Sequence, residues 1–199
     1  MAVIVRRSVL AGAAGAAAVT VAAALLLRKP AAPPVPSLRP DSAPEQVRLQ
    51  DIAALHPTTP PRALPAIGFV DATGAAHQLA AYAGRPVLLN LWATWCPPCV
   101  AELPALAALA RTAATALAVL PLSSDRGGAA RVAGFFRSHA ITGLPVLLDP
   151  NGAAVEALAA RGLPTTLLID GEGRERARLE GAADWAAPDV LAALLRLTA

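Results

Sequence analysis

Two cysteines separated by two prolines stand between an apolar run and a segment with helical periodicity. The apolar run is Val87–Trp92, and residues 97–111 have apolar side chains at helical spacing. A continuous apolar run predicts a strand buried on both faces, which helices must then cover. The chain is therefore expected to form an α/β domain that carries Cys96 and Cys99 at a strand-to-helix junction.

A cysteine at the start of a helix has a specific chemistry. Unpaired backbone N–H groups and the helix dipole stabilise an anion there, so Cys96 is predicted to form a reactive thiolate. Cys99 lies one turn into the helix, where it can close a disulfide with Cys96 and resolve a mixed disulfide with a substrate. Pro97 costs no hydrogen bond in the first turn. The pattern predicts an active dithiol, with Cys96 attacking and Cys99 resolving.

Three other interpretations of the two cysteines remain open at this point. A CxxC can be half of a zinc site, but the sequence has no second CxxC, and its histidines are isolated (His56, His77 and His139). A structural disulfide is the second alternative, although a bridge across two residues restricts the unfolded chain little. Two buried cysteines that never react are the third. We expect no metal, and no cofactor beyond the redox-active disulfide itself.

The distribution of charge argues against a nucleic-acid partner. The chain has 17 basic and 14 acidic residues, and four of the basic ones lie in the first 29 positions, which contain no Asp or Glu. The remaining residues carry 13 basic and 14 acidic side chains. They contain no basic cluster with interleaved aromatic residues, so nucleic-acid binding is excluded.

The N-terminus has the pattern of an export signal or membrane anchor. Ser8–Leu27 has no charged residue and is long enough to span roughly 30 Å of hydrocarbon. Arg6 and Arg7 precede it, which predicts a cytoplasmic start and an exported remainder. The sequence after residue 24 is a poor cleavage site, which favours a retained anchor over a cleaved signal. The two arginines also resemble a twin-arginine motif, so the export route stays open.

A proline-rich segment follows the anchor. Six prolines lie between residues 30 and 44, and more follow up to residue 65. Such a composition favours extended polyproline II structure, which acts as a semi-rigid spacer. We assign residues 1–29 to a signal anchor, 30–62 to the linker and 63–199 to the folded domain, with a monomer as the default.

The order of elements predicts a mixed sheet with helices on both faces. A hairpin is expected at 67–74, before the main sheet, and a second hairpin turns at 171–173. Further strands are predicted at 117–122, 146–148, 165–169 and 176–179, and further helices at 126–140, 153–160 and 188–197. Strand-helix-strand units followed by a hairpin and a helix are typical of this class.

Two separated stretches resemble one known family. Residues 90–104 (NLWATWCPPCVAELP) resemble the active-site segment of TlpA/ResA-like (CcmG/DsbE-related) thioredoxins, which are membrane-anchored, exported thiol-disulfide proteins of bacteria. Residues 162–170 (GLPTTLLID) resemble the family's cis-proline loop and the strand after it. The resemblance spans residues 65–197. It implies a thioredoxin-like fold with an N-terminal hairpin and a central insertion at about 141–160.

The resemblance also implies roles for residues around the cysteines. Pro164 should be the cis-proline facing the CxxC, which would let the backbone of Leu163 pair with an extended substrate segment. Trp95 should shield Cys96 and present a flat apolar docking surface. A trans turn proline and plain packing are the respective alternatives.

Two polar residues complete the implied site. Asn90 takes the place of the buried Asp of ordinary thioredoxins, and a neutral amide cannot relay a proton as that carboxylate does. Glu102 matches an acidic residue of ResA-like members, where it would raise the thiol pKa and accept the proton of Cys99. The alternative for Glu102 is a solvated first-turn glutamate stabilised by the helix dipole.

The resemblance implies a periplasmic enzyme tethered to the bacterial inner membrane. It would reduce disulfides of client proteins, such as apocytochrome c or copper-site proteins, and be recharged by a membrane electron donor of the CcdA/DsbD type. A disulfide-donating oxidase and a non-catalytic adaptor with a structural disulfide are the alternatives. A peroxiredoxin would need a Thr where Ala93 stands, and a copper-delivering Sco-type domain would need three residues between its cysteines.

Overall fold

The computed structural model describes residues 49–199 of the chain. The expected anchor at 1–29 and the linker up to residue 48 lie outside these residues. Within the described part, no helix combines the length and the apolar character needed to cross a membrane.

An eight-stranded mixed sheet forms the centre of the fold. Its strands run in the spatial order β1-β8-β7-β4-β5-β6-β2-β3. In chain order they are β1 (His56–Ala63), β2 (Gly68–Asp71), β3 (Ala76–Gln78), β4 (Val87–Trp92), β5 (Ala118–Ser123), β6 (Leu147–Leu148), β7 (Thr165–Ile169) and β8 (Arg174–Glu180). The pairs β4–β5 and β5–β6 are parallel, and the other neighbours are antiparallel. The sheet is mixed, as the order of elements predicts.

Helices cover both faces of this sheet. They are α1 (Pro97–Ala113), α2 (Gly128–Ser138), α3 (Ala153–Ala157) and α4 (Val190–Thr198). The core has two parts, one with side chains of α1, α2 and α4 and the other with Ala154 of α3. Alternate residues of β4 enter the two parts: Leu88 and Trp92 enter the first, Leu89 and Leu91 the second. All six residues of β4 are buried, as its continuous apolar run requires.

The folded unit includes a strand that we assigned to the linker. Residues 56–63 form β1, which pairs antiparallel with β8, and Gln50 forms a bridge to Ala183. The expected boundary at residue 63 is therefore too late. Nearly all of β1 is exposed, so it has no apolar alternation to reveal it. Its three prolines are tolerated because an edge strand can turn the missing N–H toward solvent.

The expected N-terminal hairpin and central insertion are both present. β2 and β3 form the hairpin, which joins the sheet through the pairing of β2 with β6. The insertion contributes β6 and α3, so it extends the sheet and covers one face. The mixed-sheet α/β fold is thus the one that the order of elements predicts, and its thioredoxin-like arrangement is the one that the family resemblance implies.

Candidate active site at the start of helix α1

Cys96 is the N-cap residue of α1, as its position in the sequence predicts. Its Sγ accepts a hydrogen bond from the backbone N–H of Cys99 at 3.3 Å. Cys96 and Cys99 form a disulfide, so the structure is that of the oxidised protein. After reduction, the same N–H and the helix dipole favour a thiolate on Cys96.

The two cysteines differ slightly in exposure. Cys96 is 5% exposed, whereas Cys99 is completely buried. Trp95, the residue before the disulfide, is 63% exposed. An incoming disulfide therefore reaches Cys96 first, and it meets a large exposed aromatic side chain beside the sulfur.

Pro164 lies at the same end of the sheet as the disulfide. The Leu163–Pro164 peptide bond is cis, as the resemblance implies. β7 begins at Thr165, which pairs with Leu91 near the end of β4. Leu163 is half-buried and lines the same groove as Trp95. The cis-proline loop thus borders the surface next to the dithiol.

Glu102 is completely buried, one turn after Cys99 on α1. Side chains three residues apart on a helix share a face, so Glu102 and Cys99 point into the same part of the core. Its Oε1 accepts a hydrogen bond from Asn90 Nδ2 at 2.8 Å. Its Oε2 accepts from the backbone N–H of Ala183 at 2.9 Å and from Trp185 Nε1 at 2.8 Å. The solvated alternative for Glu102 is wrong.

Burial raises the pKa of Glu102 to about 7, and the three hydrogen bonds only partly oppose this. Near neutral pH, both protonation states of this carboxyl group are therefore populated. Asn90 on β4, also completely buried, holds the carboxyl in place and donates a second hydrogen bond to Thr166 Oγ1 at 2.9 Å.

Sequence reasoning missed two groups of this network, Trp185 and the backbone of Ala183. Residues 181–185 resemble a structural stretch of the family, and nothing local indicates a partner more than 80 residues away. A signal was available only indirectly: a buried glutamate needs several donors, and a buried indole N–H needs an acceptor.

Within residues 49–199, no cluster of three or more His, Cys, Asp or Glu side chains could hold a metal ion. The chemistry that the arrangement can perform is that of the two sulfurs. One belongs to the N-cap residue of α1, and the other lies one turn further on, on the helix face that also carries the buried Glu102.

The sequence matches a model of a known protein family. This is the Redoxin family model, which matches residues 60–194. The thiol-disulfide oxidoreductase ResA of Bacillus subtilis (strain 168) is 31% identical over 104 residues, which are 52% of this chain and 58% of that protein. The chain thus spans little more than half the length of this curated relative.

Solved structures share the fold over nearly their full length. The pneumococcal exposed lipoprotein thioredoxin Etrx1 from Streptococcus pneumoniae strain TIGR4 has a TM-score of 0.54 and 27% identity. The match covers 66% of this chain and 98% of that one. A secreted thiol-disulfide isomerase from Corynebacterium glutamicum has a TM-score of 0.58 at 22% identity, with 80% of this chain and 94% of that one covered.

Proposed function

The chain belongs to the Redoxin family, and from this membership and the geometry of its dithiol we propose that it is a thiol-disulfide oxidoreductase acting as a reductase. One observation carries the proposal: the N-cap cysteine of α1, next to the exposed Trp95, forms a disulfide with a completely buried cysteine one turn further on. That arrangement suits an attacking and a resolving thiol, and the resemblance to TlpA/ResA-like thioredoxins supports it.

The proposed reaction transfers two electrons and two protons to a client disulfide. The thiolate of Cys96 attacks one client sulfur, which breaks the client S–S bond and releases the other client sulfur as a thiolate that takes up a proton. The thiolate of Cys99 then attacks Cys96 Sγ in the mixed disulfide. This step releases the second client thiol and forms the Cys96–Cys99 disulfide, so the client is reduced and the dithiol is oxidised.

Glu102 has the position and the pKa to accept the proton of Cys99 before that second step. Burial keeps its pKa at about 7, close to the pH at which a general base is most useful. When ionised, its negative charge also raises the pKa of the nearby thiols. Asn90 positions Glu102, but its neutral amide cannot relay a proton.

The proposal includes the location and partners that the resemblance implies. The uncharged segment Ser8–Leu27, preceded by Arg6 and Arg7, supports a tether in the bacterial inner membrane with the domain in the periplasm. The clients would be apocytochrome c or copper-site proteins, and a membrane donor of the CcdA/DsbD type would reduce the disulfide again.

Trapping with Cys99→Ala tests whether the dithiol is an enzyme or an adaptor. Without the resolving thiol, mixed disulfides between Cys96 and client proteins should accumulate and be released by dithiothreitol. Cys96→Ala in the same background is the control and should trap nothing. Absence of mixed disulfides in the Cys99→Ala protein would favour the adaptor.

The reduction potential of the full chain tests the direction of electron flow. We expect a value near or below about −230 mV in glutathione or dithiothreitol buffers, on the thioredoxin side of the scale. A value above about −150 mV would make the chain a disulfide donor and contradict the reductase.

A further inference from the structure

A groove with both apolar and positively charged residues opens beside the dithiol. Trp95, Leu163 and Val155 give it apolar surface, while Arg126 and Arg131 add two guanidinium groups. Trp95 is one of only two large apolar side chains that are exposed among residues 49–199. A client chain whose cysteine meets Cys96 would lie along this groove.

A buried carboxylate holds Arg131 in place. Asp125, 1% exposed, accepts hydrogen bonds from the N–H and the Oγ1 of Thr94 at 2.8 and 2.7 Å. Arg131 Nε donates to Thr94 Oγ1 at 3.0 Å and to Asp125 Oδ1 at 3.2 Å. Thr94 directly precedes Trp95, so the guanidinium and the indole are anchored to the same short segment.

The outer edge of Arg131 is available to a ligand. Its side chain is 56% exposed, and its terminal nitrogens form no hydrogen bond within the described part of the chain. A guanidinium whose Nε is fixed loses little freedom when its terminal nitrogens pair with a carboxylate.

Unlike Arg131, which pairs with Asp125, Arg126 carries a positive charge that no described residue neutralises. It is exposed and forms neither an ion pair nor a hydrogen bond with another residue of 49–199. The one acidic residue among the described residues that line the groove, Asp125, is buried and already paired. The groove therefore combines apolar surface with uncompensated positive charge.

We propose that this groove selects client segments that carry a carboxylate side chain next to the cysteine attacked by Cys96. The carboxylate pairs with Arg126 and Arg131 while an apolar neighbour packs on Trp95. The proposal rests on the proposed function, because it names the class of client for the same dithiol.

The test compares two disulfide peptides that are identical except for Asp or Asn beside the reacting cysteine. The reduced full chain is mixed with each peptide, and the second-order rate of peptide reduction is measured. We expect the Asp peptide to react about fivefold faster at low ionic strength. The difference should shrink in about 0.5 M salt, because salt screens exposed charges.

Two arginine variants show whether the groove causes the preference. Arg126→Gln should lower the ratio of the two rates to about 2 or less, because it slows the Asp peptide more than the Asn peptide. Arg137→Gln removes another exposed charge from the last turn of α2, outside the groove, and should leave the ratio unchanged.

Each result of the peptide experiment has one meaning. Equal rates for the two peptides, or a ratio that Arg126→Gln does not change, would overturn the selectivity and leave the reductase intact. Failure to reduce either peptide, together with failure to reduce the small neutral disulfide hydroxyethyl disulfide, would overturn the proposed function and with it the selectivity.

Discussion

Asn90 can form a hydrogen bond with the carboxyl group of Glu102 in either of its protonation states. In the structure, Asn90 donates to Glu102 through Nδ2, and its Oδ1 has no hydrogen-bond partner among the described residues. A protonated Glu102 would have an O–H to donate. If the Asn90 amide turns over, its oxygen faces that O–H, so the buried site can hold the acid and the anion with little rearrangement.

Replacing the carboxyl group should change how stability depends on pH. The pKa of Glu102 is about 7 in the folded chain against an ordinary value of 4.5, so folding favours its protonated form. Its contribution to stability is therefore complete below pH 4.5 and lost as pH rises through 7. From pH 4 to pH 8, the oxidised chain should lose about 3 kcal/mol of unfolding free energy relative to Glu102→Gln.

Urea unfolding of the oxidised wild type and the Glu102→Gln variant at several pH values measures this difference. The amide of the variant can use the same turned-over Asn90, so the variant should fold. Parallel pH profiles for the two proteins would contradict the raised pKa.

The indole of Trp185 should hold the Glu102 pKa down. Trp185→Phe keeps an aromatic ring in the core but removes one of the donors to the ionised carboxylate, so the pKa of Glu102 should rise further. NMR titration of a ¹³C-labelled Glu102 carboxyl group measures the change.

Trp92→Phe is the matched control for this prediction. Trp92 is as buried as Trp185, but its Nε1 has no hydrogen-bond partner in the described residues. Both variants should lose stability through packing, whereas only Trp185→Phe should shift the titration. An equal shift in both would mean that packing, and not the hydrogen bond, sets the pKa.

At the residue scale, the sequence predicts the reactive pair better than its surroundings. The spacing of Cys96 and Cys99 and their place at the start of a helix are local features, which a sequence pattern can reveal. The burial of Glu102 is not local, because it depends on Trp185 and Ala183, which return to α1 only after the sheet has formed.

Among the elements, β1 shows why a strand can escape sequence-based prediction. Polar contacts hold it to β8, since the buried Glu175 accepts hydrogen bonds from Thr58 and Arg62 of β1. Burial alone would raise the pKa of Glu175, but the hydrogen bonds from Arg178 and Arg62 outweigh it and lower the pKa. Such a strand lacks the hydrophobic periodicity by which strands are predicted from sequence.

Removing the charge of Glu175 should loosen β1. Glu175→Gln should lower the unfolding free energy by about 2 kcal/mol at pH 7 and speed amide exchange in β1, because two arginines lose their shared anion. Since the pKa of Glu175 is lowered in the fold, its contribution is present above the ordinary value of 4.5 and fades as pH falls.

Glu172→Gln is the control for the Glu175 prediction. Glu172 pairs with Arg174 at 2.8 Å, but its side chain is 71% exposed, so its loss should cost less than about 0.5 kcal/mol. Unchanged exchange in β1 after Glu175→Gln would show that backbone pairing alone fastens the strand.

At the scale of the whole molecule, the folded unit should begin near residue 45, well before the boundary at residue 63 that the sequence predicts. A chain that starts at residue 45 keeps β1 and the contact of Gln50 with Ala182. A chain that starts at residue 64 lacks both and uncovers one side of β8. We expect its melting temperature to be lower by at least about 5 °C in thermal denaturation. Equal melting temperatures would show that residues 45–63 add nothing to the fold.

The prolines of β1 affect whether copies of this protein can associate through their sheet edges at high concentration. β1 forms one border of the sheet, and three of its eight residues are prolines without an N–H, while the opposite border, β3, is only three residues long. Within residues 49–199, neither border offers the long row of free donors and acceptors on which aggregation between sheets depends. Copies of this folded part should therefore not join through their sheet borders, which leaves each dithiol free to meet another polypeptide.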